Sequence, residues 1–323
     1  MDEHRLHVRP YRETDAAALA ALCTAVHPEH PVSVASIAQW TQVDQRDGRR
    51  MPRWLVEERE TGEIVATGGL LRNPFADAPD RPDLYVEVLP TRRRRGIGAH
   101  LFDHVLAAAR AEGARGLRAA FRTEPPGGLE FALARGFREV RRSWISQLEP
   151  ATVDTSERPA LVARLARDGI GLTTLEEEGP EDASVRHRLH DLDVVAGADV
   201  PRAGSFTPIS FEDFQRLQLT GPGFLPAAWA LAKVGDRYVG MSTALREVAD
   251  PATLYQGFTG TRPEYRGRGV ARALKLAVIE YARREGYRRI ETTNDSTNER
   301  MWGLNRALGF RKISERVYTE RDL

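Results

Sequence analysis

The chain has 323 residues, of which 41% are hydrophobic; 47 basic and 46 acidic side chains leave a formal charge of +1, and there is one cysteine, Cys23. Such a length suits two domains of ordinary size, each able to bury a core. The near-neutral balance argues against a nucleic-acid partner. A mean hydropathy of -0.45, with no apolar run near the ~20 residues of a span, argues against a membrane. The opening MDEHRLHVRP has no apolar stretch and is not expected to be a signal peptide, and a single thiol fits a reducing cytoplasm.

In chain order, residues 54–71 (WLVEERETGEIVATGGLL) read as a hairpin turning at Thr61-Gly62, and 83–89 (DLYVEVL) as a strand. Residues 97–113 carry apolar side chains at helical spacing and stop on a glycine, and 114–121 (ARGLRAAF) read as a further strand. Residues 150–169 begin polar, become helical, and are expected to link two domains; 170–176 (IGLTTLE) open the second with a strand. A hairpin turning at Gly235-Asp236 (227–245), a strand (254–261), a helix (270–286) and a strand (287–294) complete the reading.

The second half repeats the first. Pro90 and Pro263 stand 173 residues apart. The same offset carries Arg93, Arg95 and Gly96 onto Arg266, Arg268 and Gly269, Glu112-Gly113 onto Glu285-Gly286, and Gly136-Phe137-Arg138 onto Gly309-Phe310-Arg311. That period is far longer than the roughly 20–50 residues of a solenoid unit, so it marks a duplicated domain. Domains are expected at 1–150 and 170–323, joined by a linker helix at 151–169.

Both copies place a basic, glycine-rich turn between a strand and a helix: Arg93-Arg94-Arg95-Gly96-Ile97-Gly98-Ala99 and Arg266-Gly267-Arg268-Gly269-Val270-Ala271-Arg272. Glycines let the backbone N–H groups approach a ligand, and a helix N-terminus carries roughly half a positive charge, so the turn favours an anion such as pyrophosphate. Neither copy has the third glycine of a dinucleotide fingerprint or the Gly-Lys-Ser/Thr of a Walker turn. Four arginines at 92–95 in a chain of charge +1 suit a phosphate ligand better than nucleic acid.

These motifs, with an Arg-Gly-Phe or Leu-Gly-Phe about forty residues on, resemble the GNAT superfamily of acetyl-CoA-dependent N-acyltransferases. Residues 8–22 (VRPYRETDAAALAAL) resemble that family's first strand and helix, so the resemblance covers nearly the whole chain in two copies. It implies an α/β (α+β) fold of two domains, each a mixed, mostly antiparallel splayed sheet flanked by helices. It also implies acetyl-CoA as acyl donor, held by the two turns. In the family a backbone N–H at the splayed end of the fourth strand receives the oxyanion, which falls on Thr261 and Val88 here. An asparagine that contacts the cofactor falls on Asn298, and the tyrosine that protonates the departing thiolate is replaced by Asn305. The first copy has Pro125 and Ala132 at these positions, and Phe121-Arg122 where the second has Asn294-Asp295. The chemistry is therefore expected in the C-terminal copy, with the N-terminal one degenerate.

An amine with a pKa near 10 must lose a proton before it attacks a thioester, so a base is needed. Asp295 and Glu87 are the candidates. Asn305 donates a hydrogen bond but no proton, so either Tyr255, Tyr265 or Tyr318 serves as acid or hydrogen bonds alone assist the thiolate. The expected acceptor is a small-molecule amine, met by the loops around 27–53 and 196–225, where Asp199, Glu212 and Asp213 are able to hold a cation. HPEH (27–30) and HRLH (187–190) lack further metal ligands nearby and read as solvated, Cys23 as core, and the acidic stretch 176–182 as a helix cap facing water. No metal is expected, and the chain is expected to be a cytoplasmic monomer or homodimer. A non-catalytic acyl-CoA sensor is the alternative from another class, and a protein or peptide amine is a further acceptor.

Overall fold

The computed structural model describes residues 5–28, 31–43, 45–46, 49–71, 80–124, 126–201, 206–221, 223–247 and 250–323. The chain divides into two compact units, one of Met1–Val140 with Val317–Leu323 and one of Arg141–Arg316.

Unit 1 opens with β1 (Leu6–Pro10), α1 (Ala16–Val26) and α2 (Val34–Val43), then the two-residue strands β2 (Gln45–Arg46) and β3 (Arg49–Arg50). β4 (Arg53–Glu58), β5 (Ile64–Leu71) and β6 (Asp83–Val88) follow as an antiparallel meander. α3 (Ile97–Ala111) returns the chain to β7 (Gly116–Arg122), which pairs in parallel with β6 at Asp83 and Arg118, and α4 (Gly128–Leu133) comes next. Along β4 the faces alternate: Leu55 joins the core under α1, whereas Val56 joins the core under α3 with Leu101, Phe102, Val105 and Phe137. A strand with this period-two pattern lies between two helical layers.

β8 (Arg138–Leu148) runs from unit 1 into unit 2, followed by α5 (Arg158–Arg167), β9 (Gly171–Thr174), α6 (Leu175–Glu178), α7 (Ala183–Gly197) and α8 (Phe211–Gln218). β10 (Ala230–Val234), β11 (Arg237–Arg246) and β12 (Thr253–Thr261) form the second antiparallel meander, with β9 on its edge. α9 (Val270–Arg284) leads to β13 (Arg289–Asp295), which pairs in parallel with β12 from Thr253–Arg289 to Gln256–Thr292, and then diverges from it. α10 (Glu299–Ala307) and β14 (Arg311–Asp322) close the chain. On the α9 side Val270, Ala273, Leu274 and Ile279 pack on Val239, Ala244 and Leu254. Lys275, 1% exposed, occupies the position that Phe102 fills in unit 1.

The units do not follow the expected limits. Residues 143–148 of β8 pair with β13, inside unit 2. Residues 317–323 fall in unit 1, where the Thr319 hydroxyl donates to the Ala119 carbonyl at 3.2 Å and Leu323 N–H to the Arg115 carbonyl at 3.0 Å. The strand that ends the first copy, β8, thus pairs mainly inside unit 2, and the end of β14, the last strand of the second copy, completes unit 1. The segment expected as a linker is part of unit 2: Leu165 is fully buried and Leu161 packs on the α9 core. The strand expected at 170–176 is cut short because Thr174 caps α6, accepting from Glu177 N–H while Glu177 accepts in return. The acidic stretch beyond it is not all solvated, since Glu178 accepts from Lys233 Nζ at 2.5 Å and Tyr238 hydroxyl at 2.8 Å.

Candidate active site

The two turns have one backbone geometry. Gly96 and Gly269 precede their helices at φ of 83° and 91°, and Gly267 takes φ 73° where its counterpart Arg94 takes 63°. Gly96 and Gly269 let each chain enter the helix from a left-handed residue, a conformation that costs other residues about 1–2 kcal/mol. Neither helix has a side-chain N-cap. The first-turn N–H groups around Gly98-Ala99 and Ala271-Arg272 are left able to bind an anion.

The turns differ in how their arginines are engaged. Arg266 pairs with Asp199 at 2.6 Å, Arg272 Nε donates to Glu157 at 2.6 Å, and Arg268 donates to the Glu264 carbonyl at 3.3 Å. Arg164, on α5, donates to the Arg268 carbonyl at 3.1 Å, and a Cβ on Gly269 would come within 2.9 Å of Leu161 and Arg164 side-chain atoms. Arg94 and Arg95 of unit 1 are exposed and make no ion pair among the described residues. A cavity of about 240 Å³ opens at the second turn, lined by Thr261, Tyr265, Arg266, the two glycines, Val270, Ala271, Arg272 and Leu304.

Beside each turn the sheet opens. Leu89 N–H donates to the Val65 carbonyl at 3.0 Å and Arg262 N–H to the Val239 carbonyl at 2.9 Å, while Val88 lies opposite Ala66 and Thr261 opposite Gly240. In an antiparallel ladder this makes Val88 and Thr261 members of non-hydrogen-bonded pairs, so their own N–H and C=O point away from the neighbouring strand, into the divergence. Both carbonyls are taken in the same way: Arg93 Nε donates to Val88 and Arg266 Nε to Thr261, each at 3.1 Å. The first arginine of each motif therefore fixes the strand end, a use that charge counting in the sequence does not show. What remains at each opening is a backbone donor able to bind an oxygen that gains negative charge.

The other candidates separate. Asn305 is fully buried and donates to Asn294 at 2.5 Å. Asp295 accepts from Thr297 N–H at 2.8 Å and hydroxyl at 2.5 Å, with Arg141 3.6 Å from its second oxygen, so its carboxylate closes a turn. Asn298 caps α10, accepting from Met301 N–H at 3.2 Å. Tyr265 lines the cavity, Tyr255 sits where β12 is still paired, opposite Leu245 and Glu291, and Tyr318 belongs to unit 1. Asp213 pairs with Arg216 at 2.9 Å and Glu212 is exposed in the first turn of α8. Ala132 is core, while Pro125, Glu29 and His30 of the HPEH stretch, and other parts of the 27–53 and 196–225 loops lie outside the described residues. His187 stacks on Phe211 at 3.8 Å and His190 Nε2 lies 2.9 Å from the Ile209 carbonyl, which ties α7 to α8.

Polar chemistry is not confined to the second copy. On the α1 face of unit 1, Glu87 has one carboxylate oxygen 3.1 Å from His27 Nε2, and the other accepts from the Cys23 thiol at 3.5 Å. Burial first, and then the Glu87 charge, push that thiol up to about 12, so Cys23 is no nucleophile at neutral pH. His27 is thus not simply solvated, as its loop sequence suggests. Cys23 and His27, four residues apart around the end of a helix, share a face, and that spacing is the signal in the sequence that points to their meeting. The offset places Gly260 at the position of Glu87 and Phe258 at that of Tyr85; a Cβ on Gly260 would lie 2.2 Å from the Phe258 ring.

The family described as Acetyltransferase (GNAT) family matches residues 18–137 and 200–310. A mycothiol acetyltransferase of Thermobispora bispora is 30% identical over 251 residues, 76% of this chain and 78% of that protein. One of Thermobifida fusca is 28% identical over 314 residues, 91% of this chain and 90% of that protein. Among solved structures, a tandem GNAT protein from the clavulanic acid biosynthesis pathway superimposes with a TM-score of 0.75 at 22% identity, covering 98% of each chain. A GCN5-related N-acetyltransferase from Sphaerobacter thermophilus gives 0.70 at 20% identity, covering 98% of this chain and 96% of that one.

Proposed function

Because the chain belongs to the GNAT acetyltransferase family and carries its domain twice, we propose that it transfers an acetyl group from acetyl-CoA to the amine of a small molecule by direct attack on the thioester. The observation that carries this reading is the join, at one point of unit 2, of an uncapped helix N-terminus, a cavity and an open strand-end donor. The first-turn N–H groups near Ala271 and Arg272, with Arg266, hold the pyrophosphate in this proposal. Acetyl-CoA supplies the acyl thioester. Thr261 N–H stabilises the charge that develops on its carbonyl oxygen, and Tyr265, the tyrosine at the cavity, supplies a hydroxyl for the leaving thiolate. The acceptor is assigned only as a small amine.

The test is calorimetric titration of acetyl-CoA together with thiol release over a panel of amines. Ala271→Asp is the variant of choice. An acidic residue in the first helical turn suits the helix but repels a phosphate, whereas Gly269→Asp would also collide with Leu161. Weaker acetyl-CoA binding by about tenfold or more is expected in Ala271→Asp; unchanged binding would remove unit 2 as the donor site. Binding without thiol release from any amine would favour the sensor reading.

A further inference from the structure

We propose that α5 brings a donor-specificity residue to unit 2: Arg164, together with Arg268, binds the phosphate that coenzyme A carries on its ribose 3′ position, so that unit 2 takes CoA in preference to dephospho-CoA. This rests on the reading of unit 2 as the acetyl-CoA site and adds to it a recognition element from outside the repeated segment of the sequence.

The cavity at the turn is open to a polar ligand on its own evidence. Thr261, 8% exposed, lines it, and its buried hydroxyl has no hydrogen-bond partner among the described residues. Such a group is costly to bury unless a bound molecule completes its hydrogen bonding.

Helix α5 is docked beside this turn by its apolar spacing. Leu161 and Leu165, four residues apart, share the face that packs on the α9 core, and Leu165 is fully buried. Polar contacts hold the same surfaces together: Arg158 pairs with Glu280 at 2.8 Å and Arg283 donates to the Thr155 hydroxyl at 2.9 Å. With both leucines inside, Arg164 falls on the flank next to the start of α9. There it donates to the Arg268 carbonyl at 3.1 Å, and its Nη2 stands 2.8 Å from where a Cβ on Gly269 would be. Gly269 thus serves both the left-handed turn and the approach of this arginine. That bond uses one of the five guanidinium donors, and Arg164 is exposed, so donors remain for a ligand.

The charges at the turn sort into two classes. Arg266 is paired with Asp199 and Arg272 with Glu157. Arg164 and Arg268 donate instead to main-chain carbonyls and pair with no carboxylate among the described residues. Two guanidinium groups without counter-charges suit a phosphate monoester, which carries about 1.5 to 2 negative charges at neutral pH. Position decides which phosphate. The cavity wall comes from residues 261–272 and Leu304, and α5 contributes nothing to it, so Arg164 reaches the turn from outside the cavity. The pyrophosphate has the first-turn N–H groups of α9 for partners; a cation beyond the cavity serves a second phosphate group of the same ligand, and in CoA that group is the 3′-phosphate.

The experiment is calorimetry on the full chain at low ionic strength, with CoA and with dephospho-CoA, for wild type, Arg164→Gln and Arg167→Gln. Arg167 is an exposed arginine of the same helix and controls for the loss of a charge. The affinity followed is that of the site lost in Ala271→Asp. Wild type is expected to bind CoA about tenfold more tightly than dephospho-CoA, and Arg164→Gln to reduce that ratio to about twofold by weakening CoA alone. Arg167→Gln should leave the ratio as it is. Adenosine 3′,5′-bisphosphate should displace CoA from wild type more effectively than AMP, a comparison that needs no variant. Equal binding of CoA and dephospho-CoA by wild type overturns the assignment. Equal weakening of both ligands in Arg164→Gln also overturns it and leaves Arg164 as a support of the turn, while the acetyl-CoA reading stands. A ratio lowered as much by Arg167→Gln as by Arg164→Gln would mean bulk charge rather than contact, with the same consequence. If Ala271→Asp loses no CoA site, both readings fall.

Discussion

Inside unit 2, Lys275 Nζ donates to Gln256 Oε1 at 2.7 Å, and no carboxylate among the described residues pairs with it: the chain continues from Gln256 Nε2 to Ser242 at 3.0 Å and from Ser242 to Thr259 at 2.8 Å, all neutral groups. Burial brings the lysine from 10.5 down to about 7. Between those values the unfolded chain holds a proton that the folded chain does not, so this group makes stability rise with pH, with a slope of up to about 1.4 kcal/mol per pH unit. Urea denaturation at pH 7 and pH 9.5 should show a larger gain for wild type than for Lys275→Met. Equal gains would show that the lysine ionises normally.

The ion pair of Asp199 with Arg266 competes with any phosphate at the turn. Asp199→Asn should tighten acetyl-CoA binding two- to fivefold, or about 0.4–1 kcal/mol, as expected for an exposed pair. Calorimetry at low ionic strength is the measurement, and the gain should shrink as salt is added.

Cys23 gives unit 1 a reporter of its own. Its thiol is 6% exposed and raised to about 12. A disulfide reagent at pH 7.5 should react far more slowly with native protein than with protein in denaturant. Fast native reaction would mean that α1 opens readily from the sheet.

Gly69 lies where Tyr85 reaches across to Arg53, whose Nε donates to the Tyr85 hydroxyl at 2.9 Å. A Cβ there would stand 2.5 Å from the Pro52 carbonyl oxygen and 3.1 Å from the Tyr85 hydroxyl. The first of these is backbone and cannot yield without loosening the pairing of β4 and β5. Gly69→Ala should destabilise the protein by about 1–3 kcal/mol in chemical denaturation.

Much of this is legible in the sequence because local chemistry repeats. A left-handed residue ahead of a helix demands glycine, so Gly96 and Gly269 announce both turns, and the apolar run Trp54-Leu55-Val56 suits a strand covered on both faces. Long-range pairing is not legible. Nothing in residues 138–148 says that their neighbour will be β13, and the approach of His27 to Glu87 joins positions 60 residues apart. The surroundings of Asp295 are hidden for a related reason: nothing in the sequence announces that its carboxylate accepts from Thr297 two residues on and closes a turn.

The exchange of last strands bears on how the chain folds as it is made. Unit 1 needs Val317–Leu323 to finish its sheet, so during synthesis its first 140 residues wait, with one edge of β7 open, while all of unit 2 emerges. Closure of so long a loop lowers the rate of folding more than the final stability. Until residues 317–323 arrive, the nascent N-terminal half keeps an open strand edge, the kind of edge that favours edge-to-edge association.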